Sequence, residues 1–440
     1  MPITKVSDYI EHENYDFMSP EVVANAKKCL LDFIAASFAG YQNNASTIAL
    51  NSASWLGGEG SCTVLGKENK ASPFAATFAN ATLSSCMDID DGHRQAVGHP
   101  GCMVIPPALA YGELIQNGSG KHLITAIVAG YEVGIRCGIV MNAKHEQQFF
   151  GSGGWAHFGS AAGAAKMKGL SGEPLFHSLT IGEVYGPTAQ CEKSIAAGSM
   201  TKESVGWGAT TGLMSVQLAE SGFTGPDNIL MDYDDGVKEV FQTLGDIYEI
   251  KNIYFKQYPA CKWAHSPITA ASHIKEAFNP NWDEVDEIII ETFSKAVTLS
   301  HILPETSESA QYSIPFTVAT ALRYGTVEPY HVSEDHLNNE DIHHMAKKIR
   351  ITQVDELEKD FPEKRPARLK VKMNDGKVFE KEVHIVKGDA ENPLSLEDLI
   401  VKFEMCTKDH IADNRRLKII DMVLNLEKLK DIKELTSLLK

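Results

Sequence analysis

Residues 158–170 read Phe-Gly-Ser-Ala-Ala-Gly-Ala-Ala-Lys-Met-Lys-Gly-Leu. Alanine makes this stretch helical, yet no stripe of large apolar side chains runs along it. A helix that is small all round has only its backbone to offer a neighbour. It is therefore expected to lie buried among other helices. The stretch before it, Leu123 to Met141 (LITAIVAGYEVGIRCGIVM), is nearly all apolar or small and carries the same expectation. Further upstream a punctuated helix is predicted. Ser19 caps it, Pro20 takes the first turn and Glu21 faces its positive end. Val22, Cys29, Leu30, Phe33, Ile34 and Phe38 then recur at helical spacing as far as Gly40. The first 260 residues or so thus predict an all-α core with close helix contacts.

After about Pro267 the texture changes. Glu287–Thr292 and Lys348–Thr352 read as strands. Leu369, Val371 and Met373 alternate with polar residues, Asn374-Asp375-Gly376 turns, and Val378 to Ile385 returns, the pattern of a hairpin. This part is expected to be α+β with an antiparallel sheet, one face of it wet. From Pro393 helix resumes, capped by Ser395, with amphipathic runs over Glu397–Phe403 and Arg415–Leu439. The expected fold is mainly α with an α+β part. Residues 1–266 form the first part of a helical domain, 267–392 an α+β domain, and 393–440 a return to the helical domain.

The formal net charge of −17 repels phosphate backbones, which argues against nucleic acid as a partner. It leaves an anionic small molecule possible, provided that cations gather locally. No apolar run is read as reaching the roughly 18 residues that span a membrane. The opening MPITKVSDYIEHENYDF lacks the basic start and apolar stretch of a signal peptide. Eight scattered cysteines without a CxxC pair suggest free thiols in a reducing compartment, hence the cytoplasm.

The densest polar cluster runs from Met87 to Gly101 (MDIDDGHRQAVGHPG). It holds three carboxylates, two imidazoles and a guanidinium within the 12 residues Asp88–His99. A charge run usually solvates itself at the surface. Gly92, Gly98 and Gly101 imply a close-approach backbone, and the two histidines titrate near neutrality, which favours a site. A histidine there can move protons, with a carboxylate to orient it. Alternatively Asp88, Asp90 and Asp91 could hold Mg²⁺. That spacing is similar to polyprenyl-diphosphate enzymes, but the second acidic cluster they need is not evident. Zinc would need further closely spaced His or Cys. No metal is expected.

Two more loops carry cations. Lys202 ends Gly198-Ser-Met-Thr-Lys202, with Lys193 competing for the same role. Lys256, Lys262 and His265 interleave with aromatics in Tyr254–His265, at the expected domain change, where ligand sites tend to lie. A lysine snorkelling over an aromatic core is the plain alternative. Cys261 lacks a catalytic surrounding and reads as core. His157 opens the small-residue helix beside Gly153-Gly154, where an anion could bind. His93, Arg94, His157 and His265 are the further candidates for substrate binding.

Met87-Asp88-Ile89-Asp90-Asp91 with His99-Pro100, Gly198–Lys202, Phe255–Cys261, Tyr312–Phe316 and Asn392–Leu399 together resemble the motifs of the MmgE/PrpD family, in order, over about residues 5–439. The resemblance implies a helical domain built from both chain ends with an α+β lid between them, a homodimer, and no metal or organic cofactor. Activities in that family include 2-methylcitrate dehydratase, cis-aconitate decarboxylase and iminodisuccinate epimerase. It assigns catalytic roles to Asp88, His99, Lys202 and Lys256. Compared with the decarboxylase, Gly92 stands for a threonine, Phe150 for a histidine and a residue near Val297 for a tyrosine, and the HP loop is one residue longer.

The resemblance implies a lyase acting on a small polycarboxylic acid at a carbon beside a carboxylate. His99 would move the proton with Asp88 setting its tautomer, and the two lysines would stabilise the developing charge. An epimerase of a dicarboxylate is the alternative. It needs a second acid, for which His93, His157 or His265 could serve. A non-catalytic small-acid binding protein is the third reading.

Overall fold

In the computed structural model, which describes residues 2–144, 151–188, 191–227 and 235–440, the small-residue helix is the hub of the helical body. The principal helices of that body are α1 (Pro20–Ala39), α2 (Pro73–Ser85), α3 (Gly101–Leu114), α4 (Gly120–Lys144), α5 (Ala156–Lys168), α6 (Gly172–Tyr185) and α7 (Val205–Glu220). α5 packs against α3, α4 and α7 at once. Glycines set the closeness of these crossings. A Cβ on Gly159 would lie 2.5 Å from the Gly130 carbonyl oxygen, and one on Gly130 would lie 2.3 Å from Val104 Cγ1. The N-cap read at Ser19 holds. Ser19 accepts from Val22 N–H, and Gly169 ends α5 in the left-handed region.

α4 corrects one expectation. Gly120–Asn142 is long and apolar enough to cross a membrane, but it is buried almost throughout in the helical body. Its charges are matched internally. Glu132 pairs with Arg136 at 2.5 Å one turn on, and accepts from the N–H groups of Glu249 and Ile250. No membrane is needed to explain the helix.

Beyond α8 (His265–Phe278) lies a four-stranded sheet of β1 (Val285–Thr292), β2 (Ile349–Gln353), β3 (Ala367–Met373) and β4 (Val378–Val383), in the order β2-β1-β3-β4. β3 and β4 form the expected hairpin, turning at Gly376 with φ 87°. The sheet is mixed rather than antiparallel, because β2 runs parallel to β1. A parallel neighbour needs a crossover, which the helical stretch containing α9 (Ile314–Tyr324) provides. α8 covers the face carrying Leu369, Val371 and Phe379. On the other face Arg368 and Lys370 pair with Glu291 at 2.9 and 2.7 Å, the wet side expected.

The chain then returns to α1. α10 (Leu396–Thr407), capped by Ser395 with Asp398, packs on it, as does α11 (Asp413–Leu424). The final helical run breaks at Asn425 rather than continuing to Leu439. Two main-chain bonds, Gly120 N–H to Leu429 O and Ile432 N–H to Gly118 O, tie the C-terminal segment to the start of α4.

Candidate active site

The Met87–Gly101 loop reaches the surface only around Arg94–Val97. Asp88, Asp90, Asp91, His93 and His99 are all buried, between the C-terminus of α2 and the start of α3. A two-residue antiparallel pairing, Gly92 with Tyr254 and His93 with Ile253, stitches the loop to the segment that carries Lys256. This brings groups 168 residues apart together. Lys256 Nζ donates to the Asp88 carbonyl at 3.0 Å and lies 3.0 Å from Asp88 Oδ1. It thereby stabilises Asp88 in the left-handed region, φ 52°. Lys202 shares that conformation, φ 39°. Non-glycine residues held there cost about 1–3 kcal/mol each and cluster at functional sites.

Lys202 caps the negative end of α2. Its ammonium donates to the Ser85 carbonyl at 3.0 Å and to Gln311 Oε1 at 2.8 Å, and lies 3.7 Å from Asp88 Oδ1. Lys193 is exposed, which decides between the two lysines. Burial alone would raise the Asp88 carboxyl. Lys256, Lys202 and His99 outweigh it and hold the group well below the usual carboxylate range. In return Asp88 overcomes the burial of Lys256 and raises its ammonium.

His99 stands among these charges. Its Nδ1 lies 2.6 Å from the Asp91 carbonyl, an acceptor only, so Nδ1 carries the proton and donates. Nε2 is left facing carboxylates, 3.6 Å from Asp88 Oδ1 and 4.0 Å from Glu203 Oε1. The tautomer is thus set by the Asp91 main chain and not, as expected, by Asp88. Asp88 faces Nε2 instead. Glu203 was missed in the sequence. Its other oxygen accepts from Ser152 N–H and Oγ–H at 2.7 and 2.6 Å, and Ser152 Oγ accepts from His99 N–H at 2.8 Å. Both Asp90 carboxylate oxygens lie buried without a hydrogen bond, Oδ2 being 3.6 Å from His99 Nδ1.

Asp88, Asp90 and His99 could converge on a cation. The Lys256 and Lys202 ammonium groups, however, already put positive charge against Asp88. The donor set fits a metal poorly.

The other sequence candidates are engaged elsewhere. His93 Nε2 faces Glu249 at 3.4 Å, and Arg94 holds both oxygens of Glu391. His157 Nδ1 is 3.1 Å from the Gly153 carbonyl, and its ring packs on Phe158; burial holds it down at about 4, so it is neutral near pH 7. His265 binds the Ala260 carbonyl at 3.2 Å. Its burial, together with Lys262 and Lys256, keeps it far below its usual range.

The chain matches two family models, MmgE/PrpD N-terminal domain over residues 4–247 and MmgE/PrpD C-terminal domain over residues 258–428. It belongs to the MmgE/PrpD family. Cis-aconitate decarboxylase of Aspergillus terreus is 25% identical, over 96% of this chain and 93% of that protein. Human cis-aconitate decarboxylase is also 25% identical, over 96% and 91%. A cis-aconitate decarboxylase-like protein of Aspergillus oryzae is 26% identical, over 95% and 93%.

Within this MmgE/PrpD chain, one departure expected from the sequence, Gly92, has a local explanation. A Cβ at Gly92 would lie 2.3 Å from the Tyr254 hydroxyl oxygen, so the Tyr254 ring fills the space a side chain at 92 would need. Val297 ends a short helix, Ser294–Val297. The tyrosine that faces Lys202 is Tyr312, its ring 5.8 Å from Nζ. Phe150 lies outside the described residues.

Proposed function

We propose that this protein is a lyase acting on a small polycarboxylic acid, with His99 Nε2 moving a proton on a carbon beside a carboxylate. One observation carries the reading: a histidine whose Nδ1 is tied to a main-chain carbonyl, leaving Nε2 free beside Asp88, with Lys256 and Lys202 behind it. Charge that develops on a substrate carboxylate meets preorganised ammonium groups, usually the largest catalytic contribution. Proton transfer by His99 adds about 10²–10⁴-fold. In decarboxylation His99 starts protonated on Nε2 as well; the C–C bond to CO₂ breaks, its electron pair stays on carbon, and His99 delivers the Nε2 proton there. In dehydration His99 removes the proton from carbon, the electron pair forms the C=C bond, and His99 returns that proton to the departing β-hydroxyl, which leaves as water.

The relatives' names favour decarboxylation of cis-aconitate or a similar tricarboxylate, with dehydration of a 2-methylcitrate-like acid next. The epimerase alternative needs a second acid across the substrate. His93, His157 and His265 are each bound to other partners, which supports the lyase. The reading calls for no metal, since the lysines supply the charge. A cytoplasmic homodimer belongs to the same proposal; eight unpaired cysteines and the exposed Val184, Tyr185, Trp207 and Met214 are consistent with it.

The test is proton NMR in D₂O with cis-aconitate, citrate, 2-methylcitrate and iminodisuccinate, with and without chelator. CO₂ or water loss from a tricarboxylate, with chelator immaterial, is expected. Deuterium wash-in without net change would make it an epimerase, and loss of activity to chelator alone would make it a metalloenzyme.

A further inference from the structure

Asp88, Asp90 and Glu203 face two ammonium groups, those of Lys202 and Lys256, across His99. Even with His99 protonated the centre is only balanced, three charges against three. A substrate with several carboxylates needs further cations within reach, because a buried charge left unpaired is costly.

Such cations stand beside Tyr254, the residue that fills the space at Gly92. Lys262 Nζ is 4.9 Å from the centre of the Tyr254 ring, and Arg365 Cζ is 5.9 Å from it. Lys262 is buried. Its Nζ forms an ion pair with Asp389 Oδ1 at 2.8 Å, which offsets only part of the cost of its burial. Arg365 forms no ion pair among the described residues, and its buried Nε has no partner. The nearby acids are committed. Asp389 Oδ2 accepts from Val386 N–H, and Glu391 is held by Arg94. Burial holds the Lys262 ammonium down at about 8, a cost that an arriving carboxylate would offset.

We propose that Lys262 and Arg365, presented on the Tyr254 ring, bind the substrate carboxylate remote from the reacting carbon. They thereby select acids with three carboxylates over acids with two. This rests on the polycarboxylate reading of the site. An arginine fork suits such a task, because it meets a carboxylate through two parallel donors.

The experiment is calorimetric titration of the full chain with unreactive tricarballylate and with methylsuccinate, which lacks one terminal carboxylate. The wild-type protein should bind tricarballylate the more tightly. Arg365→Met should weaken tricarballylate by about 10- to 100-fold while leaving methylsuccinate within about twofold. Arg365→Lys should recover part of the loss, which separates charge recognition from misfolding. Equal weakening of both acids, or none for tricarballylate, overturns the inference and leaves the polycarboxylate reading standing. If wild-type protein binds neither acid at millimolar concentration, that reading fails and the inference falls with it.

Discussion

Asp88 and Asp91 are three residues apart on one loop, and both are buried, yet their carboxyls are driven in opposite directions. Asp88 has Lys256 at 3.0 Å and Lys202 at 3.7 Å and stays ionised. Asp91 turns the other way, into the helical body. There it accepts from Tyr131 Oη–H at 2.5 Å and Gly101 N–H at 3.0 Å. Burial, reinforced by Asp32, pushes it up to about 7. Asp32 is itself held by Lys402 of α10 at 2.5 Å. One carboxylate faces the cations, while its neighbour braces the loop and offers His99 only a main-chain oxygen. Position relative to cations, not burial, separates the two roles.

Removing the cation that separates them should have the largest effect. Lys256→Met leaves Asp88 a buried, poorly compensated charge. It is expected to cost about 3–5 kcal/mol in urea unfolding and to abolish turnover. The double variant with Asp88→Asn should regain much of the stability and none of the activity. Additive losses in the double variant would mean that the two groups are not coupled.

A subtler difference is expected in pH dependence. Between about pH 4 and 7 the folded protein keeps a proton on Asp91 that the unfolded chain has released, so this group makes stability fall as pH rises through that window. Asp88 acts in the opposite sense, its contribution being lost only in acid, as pH falls below the ordinary carboxylate range. Asp91→Asn should therefore gain on wild type by more than about 1 kcal/mol from pH 5 to pH 8. A difference that stays flat with pH would erase the contrast. The smallest effect belongs to His157→Gln, whose kcat should change by less than about threefold, since the ring serves packing beneath Gly186.

Much of this was legible in the sequence. The Phe158–Leu170 stretch could only be a helix packed by its backbone, and Asn374-Asp375-Gly376 could only turn a hairpin. The parallel strand was not legible, because its partner lies beyond a helical crossover that periodicity does not reveal. The loops carrying Asp88, His99, Lys202 and Lys256 stood out as charges in glycine-rich or aromatic surroundings, and the family resemblance singled out those four within them. Glu203 did not. Next to Lys202 it looks like half of a surface pair, and only the left-handed turn at Lys202 and Ser204 aims it inward. His93 is the converse case. It sits in the charged cluster, but the two-residue pairing of Gly92–His93 with Ile253 and Tyr254 carries it to Glu249. Tyr254 was hidden among neighbouring aromatics, its importance visible only through the space it takes at Gly92.

The most direct test of the central claim is turnover by His99→Gln in the D₂O assay, on the tricarboxylate that the wild-type protein converts. Glutamine keeps a donor toward the Asp91 carbonyl but cannot carry a proton to carbon. With the fold intact by circular dichroism, product formation should fall by at least about 10²-fold, along with deuterium incorporation at the reacting carbon. Wild-type-like turnover by that variant would contradict the account and remove His99 from the mechanism.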